Sequence, residues 1–220
     1  MLENFYEKVM SVFAEGKNRI ELHKARSQFF EWAGQFDESS NDFEVKMSLF
    51  MEWFLLDRKF SDGLSPIEKA RDEIKDLSDD ELKIIEGLEN SSHGVFEFLK
   101  QKKGNKILIK DLLDGQKYLI SDVSVLSAFN KEHYFEARVV ELNEELIFSG
   151  SFCFHAPQAN KYILKEFKVL KKKTKKMSED ETEIEKKVLI NKLFRMKHKS
   201  EQYKHIKIEE IYNNESKIKV

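Results

Sequence analysis

Cysteine is almost missing from this chain: Cys153 is the only one in 220 residues, which excludes an internal disulfide framework. The eight glycines are scattered. Neither Gly-x-Gly-x-x-Gly nor the P-loop pattern occurs, which argues against nucleotide binding through either loop. A Gly-x-Ser-x-Gly nucleophile elbow is also absent, and with it the usual signature of that class of hydrolase. Long apolar runs are lacking too. The longest, residues 47–56, is interrupted by Ser48 and Glu52 and falls far short of the roughly 20 residues needed to span a bilayer. The N-terminus does not show the basic, apolar and small-residue order of a secretory signal. These absences lead to the expectation of a soluble, cytoplasmic protein that uses no cofactor and no membrane.

What the chain has instead is bulk and charge. Eighteen Phe and two Trp supply core candidates, and 35% of residues are charged. The net charge of −2 conceals an asymmetry: residues 161–220 carry +8 and residues 1–160 carry −10. An acidic body is joined to a basic tail.

Apolar spacing predicts helices over residues 2–14 and 17–33. Asn41, with Glu44 three residues later, reads as the N-cap of a third helix. In that helix Glu44, Ser48 and Glu52 form a narrow polar stripe, and Phe43, Met47, Leu49, Phe50, Trp53, Phe54 and Leu56 cover the rest, which predicts burial on several sides. The tetrapeptide Phe-x-Glu-Trp occurs at residues 29–32 and 50–53, but the flanks do not match and a third copy is missing, so it does not establish a repeat. Asp62-Gly63 makes a turn. Ser65-Pro66-Ile67-Glu68 and Ser78-Asp79-Asp80-Glu81 are capping boxes that open two more helices.

After His93-Gly94 the period falls to two. Residues 95–99, 106–113, 117–121, 134–142 and 145–154 read as strands, with a two-residue hairpin turn at Asp114-Gly115 and a weaker one at Asn143-Glu144. Short consecutive strands without intervening helices predict an antiparallel, barrel-like sheet. Pro157 starts a helix that runs into Lys171, Lys172, Lys173, Lys175 and Lys176. Ser178 to Glu181 is a third capping box, and Ile206, Ile208 and Ile211 allow a late strand. The fold class expected is α+β, in three parts: a helical domain over residues 1–92, a small five-stranded antiparallel β domain over 93–156, and a basic helical tail over 157–220.

Glu52-Trp53-Phe54-Leu55-Leu56-Asp57 followed by Asp62-Gly63-Leu64-Ser65-Pro66-Ile67-Glu68 resembles a bacterial domain found in proteins that bear a C-terminal SEC-C motif. The likeness continues through Ser92-His93-Gly94-Val95-Phe96-Glu97, Asp111-Leu112-Leu113-Asp114-Gly115, Ala137-Arg138-Val139-Val140 and Phe148-Ser149-Gly150-Ser151, covering residues 29–154. It implies a helical segment followed by a small β domain, with no established activity. The Cys and His cluster of the SEC-C module is missing here, so its zinc is not implied.

Candidate chemistry is sparse. Cys153 and His155 share one strand face and could offer two metal ligands, but a structural zinc site uses about four and the other histidines lack ligand spacing, so neither a metal nor a catalytic residue is expected. Asp57 and Arg58, with Asp62, end an apolar helix; they either line a surface site or simply meet the helix dipole. Lys171, Lys172, Lys173, Lys175 and Lys176 are the most visible binding candidates. A second basic group comprises Lys100, Lys102, Lys103, Lys106, Lys110 and Lys117, and the sequence does not place the two groups together. The leading expectation is a non-enzymatic protein-interaction module with a protein partner. The alternative is a nucleic-acid-binding protein that uses the lysine tract with the β domain.

Overall fold

In a computed structural model, residues 2–33, 43–121 and 126–215 are described. The chain divides into two compact units, neither of them continuous in sequence. One comprises residues 1–92 and 138–152; the other comprises residues 93–137 and 153–220.

Among the described residues the first unit carries five α-helices: α1 (Leu2–Phe13), α2 (Arg19–Ala33), α3 (Phe43–Glu52), α4 (Pro66–Glu73) and α5 (Asp79–Glu89). Helix α1 buries Leu2, Phe5, Val9 and Phe13 at mixed three- and four-residue spacing, as an amphipathic stripe requires. The N-cap expected at Asn41 lies outside the described residues. Helix α3 runs on into a π-helical turn, Trp53–Asp57, closed by the Arg58 N–H donating to the Trp53 carbonyl five residues back at 2.9 Å. The two Phe-x-Glu-Trp segments meet: the Phe29 ring lies 5.3 Å from Phe50 and 5.4 Å from Trp53. Phe50, Phe54, Phe60 and Phe13 extend this aromatic core. Both capping boxes form, with Ser65 and Ser78 accepting from the N–H groups of Glu68 and Glu81.

Among the described residues five strands are present: β1 (Ser92–Lys102), β2 (Lys106–Asp111), β3 (Lys117–Ile120), β4 (Tyr134–Leu142) and β5 (Glu145–Phe154). Their order is β1-β2-β3-β5-β4, and the order closes on itself. A purely antiparallel arrangement is thereby corrected. Neighbours cannot alternate in direction all the way round a closed ring of five, so at least one pair is parallel and the sheet is mixed. Strands β1, β2 and β3 are antiparallel neighbours, with Phe98 opposite Ile109 and Ile109 opposite Tyr118.

The turns follow local chemistry. Asn143 and Glu144 both adopt positive φ, 51° and 65°, the two-residue geometry that matches strand twist. The turn after β2 is longer than the two residues expected at Asp114-Gly115. Asp111 Oδ1 accepts the N–H groups of Leu113 (2.6 Å) and Asp114 (3.3 Å), and Asp111 N–H donates to the Gln116 carbonyl at 2.9 Å. The Asp side chain competes with the ladder and ends β2 before Leu112.

In the second unit, α6 (Asn160–Thr174) and α7 (Glu179–Gln202) pack together over Val95. Their shared core contains Ile163, Phe167, Leu170, Ile190, Leu193 and Met196, with Ile211 and Tyr212 beside them. The late strand expected near residue 206 is instead the short helix α8 (Ile208–Ile211). Ile208 and Ile211 stand at helical spacing, and the period-two signal is only Ile206 and Ile208. Among the described residues no helix is long and apolar enough to cross a membrane.

Gly87, in the last turn of α5, is fixed by packing. A Cβ there would stand 2.5 Å from the Glu141 carbonyl oxygen and 2.7 Å from Leu142 Cδ2. Helix propensity alone favours Ala over Gly by about 1 kcal/mol. We expect Gly87→Ala instead to destabilise the fold by about 1–3 kcal/mol through overpacking, read from the midpoint of urea unfolding. A stabilised variant would show that α5 and the end of β4 do not meet this closely.

Candidate functional site

Strand β4 carries two of the buried charged residues, Glu136 and Arg138. A strand alternates its faces, yet Tyr134 to Val140 are buried without interruption. Both faces of β4 are therefore covered, and the polar residues at 136 and 138 have to find partners inside the protein.

In the first unit Arg138 has three. Its guanidinium donates to Glu52 Oε1 (3.2 Å), to Ser91 Oγ (3.3 Å) and to the Asp57 carboxylate. Glu52 Oε2 accepts from Ser149 Oγ at 2.5 Å. One helical turn earlier, Ser48 Oγ meets Ser151 Oγ at 2.8 Å. The polar stripe of α3 thus lies on the polar face of β5. Four helical residues rise about 6 Å and two strand residues about 6.6 Å, so the spacings 48/52 and 149/151 coincide. Burial pushes the Glu52 carboxyl up, opposed by Arg138 and Ser149. Arg138 is 6% exposed and is held charged, with Asp57 and Glu52 outweighing the burial that works against it. Each group is paired, so this network is a clamp between helix and strands.

Both members of the Asp57-Arg58 corner are largely covered and engaged inside the first unit. Its two members diverge, because the π-helical turn ends between them. Asp57 points to Arg138. Arg58, 8% exposed, donates to Gln28 Oε1 (3.0 Å) and Glu21 Oε2 (2.9 Å) and lies over the Phe60 ring.

The second unit brings the start of the lysine tract to the β2–β3 turn, beside Lys110 and Lys117 of the other basic group. Lys171, Lys172, Lys173, Lys175 and Lys176 are all exposed, at and beyond the last turn of α6. Lys171 Nζ donates to the Asp114 carbonyl in the β2–β3 turn at 3.3 Å, while Lys173 pairs with Glu185 at 2.6 Å. On either side of that turn, Lys110 and Lys117 face each other across β2 and β3. The same outward face carries Lys100, Lys102, Lys106, Leu108 and Leu119 in register. Lys110 pairs with Glu97 at 2.7 Å, which raises its pKa.

A separate buried cluster gathers around His155 in the second unit. The ring takes part in hydrogen bonds at both nitrogens, with Glu136 Oε1 at Nε2 (2.9 Å) and Tyr212 Oη at Nδ1 (2.9 Å). Cys153 lies beside them, and one donor atom from each of Glu136, Cys153 and His155 falls within 4.8 Å of the others. Burial pushes up the Glu136 carboxyl, with His155 opposing, and also the Cys153 thiol and the Tyr212 hydroxyl. Sequence reasoning found Cys153 and His155 on one strand face. It missed Glu136 and Arg138, because charged residues at alternate positions of a strand read as its solvent side.

A family model described as a family of unknown function (DUF7986) matches residues 7–191. No curated protein and no solved structure matches the chain.

Removing the Arg138 charge tests the clamp. Arg138→Met strands two buried carboxylates and should cost about 3–5 kcal/mol at pH 7 in chemical denaturation. The sign of the pH dependence follows from the Glu52 shift. A carboxyl raised in the fold contributes stability that is complete below its unfolded pKa and lost as pH rises through the folded value. Without Arg138 that shift grows, so the deficit against wild type should shrink as pH falls toward 4.5. A deficit independent of pH would show that the carboxylates do not depend on Arg138.

Proposed function

The chain belongs to that family of unknown function, and from this premise we propose that it is a non-catalytic module that binds single-stranded nucleic acid through the lysine face of its second unit. The observation that carries the reading is the Lys171 contact with the β2–β3 turn. That contact supports the reading because the β2–β3 turn is flanked by Lys110 and Lys117, from which a phosphate backbone can run on to the lysine tract.

The character of the face supports binding that is governed by charge. Lysines supply point charges without the paired donors that arginine would offer for base edges. Leu108 and the 46% exposed Leu119 leave an apolar strip at its centre, but aromatic stacking platforms are missing from these positions. Sequence-independent binding with strong salt dependence is the behaviour this favours. The closed five-strand order supports reading the β segment as a small barrel, an architecture whose outer face and loops bind oligonucleotides in other proteins. That part of the reading is analogy. The likeness to the domain of SEC-C proteins adds an expected succession of helical and β segments and nothing about a ligand.

A second reading, a protein-interaction module, is favoured by α7. Ile184 and Val188 are 62% and 58% exposed, one turn apart, on the side of the helix away from its buried residues. Under it, Ile184→Asp and Val188→Asp would abolish capture of a protein partner and leave nucleic-acid binding intact.

Fluorescence anisotropy with a labelled single-stranded oligonucleotide checks the first reading. Replacing Lys172, Lys175 and Lys176 by Gln should weaken binding and lower the slope of log K against log salt by about 2. Lack of binding by the wild type at about 50 mM salt would sink it.

A further inference from the structure

We propose that Glu136, Cys153 and His155 form a mononuclear zinc site within the second unit. The three come from two strand segments held in fixed register. The His155 N–H donates to the Tyr134 carbonyl at 2.8 Å, which sets the end of β5 against the start of β4, two residues before Glu136. Cys153 and His155 stand two residues apart, so both side chains leave the same face.

A small opening of the cluster admits one ion. His155 Nε2 and Glu136 Oε1 are 2.9 Å apart, at hydrogen-bond distance, and two tetrahedral ligands each held about 2.0–2.2 Å from the same zinc stand about 3.3–3.6 Å apart, so the pair has to part by about half an ångström. Cys153 Sγ lies within 4.8 Å of both. Tyr212 Oη engages Nδ1 at 2.9 Å, which orients the ring with Nε2 toward Glu136, the arrangement that metal-ligating histidines use.

Charge and ligand type select the cation. A thiolate and a carboxylate balance a divalent ion, so the filled site carries no net charge into a region where the three side chains are all buried. Lys197 and Glu201 of α7, which bear on Cys153, are themselves an ion pair at 2.8 Å and add none. Thiolate and imidazole together favour zinc over the hard cations magnesium and calcium. Three protein ligands leave one coordination position for water, as open zinc sites do. On binding, the Cys153 thiol proton and the proton shared by Glu136 and His155 pass to solvent.

The test uses the full chain, purified without chelator. Elemental analysis should find about one zinc per chain. Cobalt added to the stripped protein should give a thiolate-to-cobalt charge-transfer band that is lost in Cys153→Ser. Zinc at a hundredfold excess over its Kd should raise the wild-type Tm by about 5–10 °C. Glu136→Gln, which keeps the shape of the side chain, should bind zinc at least tenfold more weakly. Should Cys153→Ser fail to fold, the zinc-dependent Tm rise of wild type and its loss in Glu136→Gln decide the matter. Less than a tenth of an equivalent of zinc with no Tm response would overturn the site, leaving a buried His–Glu–Tyr hydrogen-bond chain. An unchanged cobalt band in folded Cys153→Ser would overturn it too.

Discussion

The constraint on which the structure turns is the double burial of β4. Most strands of a small sheet face water on one side and can discharge their polar residues there. With Tyr134 to Val140 covered throughout, the alternation that would have put Glu136 and Arg138 in solvent puts them inside. Each then needs a partner of opposite or complementary character, since an uncompensated buried charge costs several kcal/mol. The two separate polar networks described above are the consequence.

The Arg138 network shows how a helix and a strand can be matched through polar residues. The α3 stripe at four-residue spacing and the β5 serines at two-residue spacing share nearly the same rise. Ser48 can therefore reach Ser151 while Glu52 reaches Ser149. Apolar packing alone would tolerate sliding of α3 along the strand. Hydrogen bonds between buried groups tolerate far less, because a shifted register leaves donors unpaired. The π-helical turn at Trp53–Asp57 adds the last element by directing Asp57 to the same guanidinium.

The exterior follows a different rule. Lysines of β1 to β3 and of the α6 terminus lie at the surface, where Glu97 pairs with Lys110 and Glu185 with Lys173. The buried His155 cluster is chemically separate from that surface, since its members are enclosed and meet one another rather than solvent.

Much of this was legible in the residues themselves. The capping boxes at Ser65, Ser78 and Ser178 start helices where they stand, and β4 and β5 begin and end where the alternation does, because caps and strand periodicity depend on neighbours within a few residues. The α3 stripe and the shared face of Cys153 and His155 were visible for the same reason. What lay across from them was not. That Glu52 meets Arg138, that Lys171 reaches the β2–β3 turn and that Glu136 completes a donor set with Cys153 and His155 are pairings over 86, 57 and 19 or fewer residues of chain. Nothing in local propensity encodes them. Tertiary packing on both faces of β4 decided whether a charge on that strand meets water or another side chain.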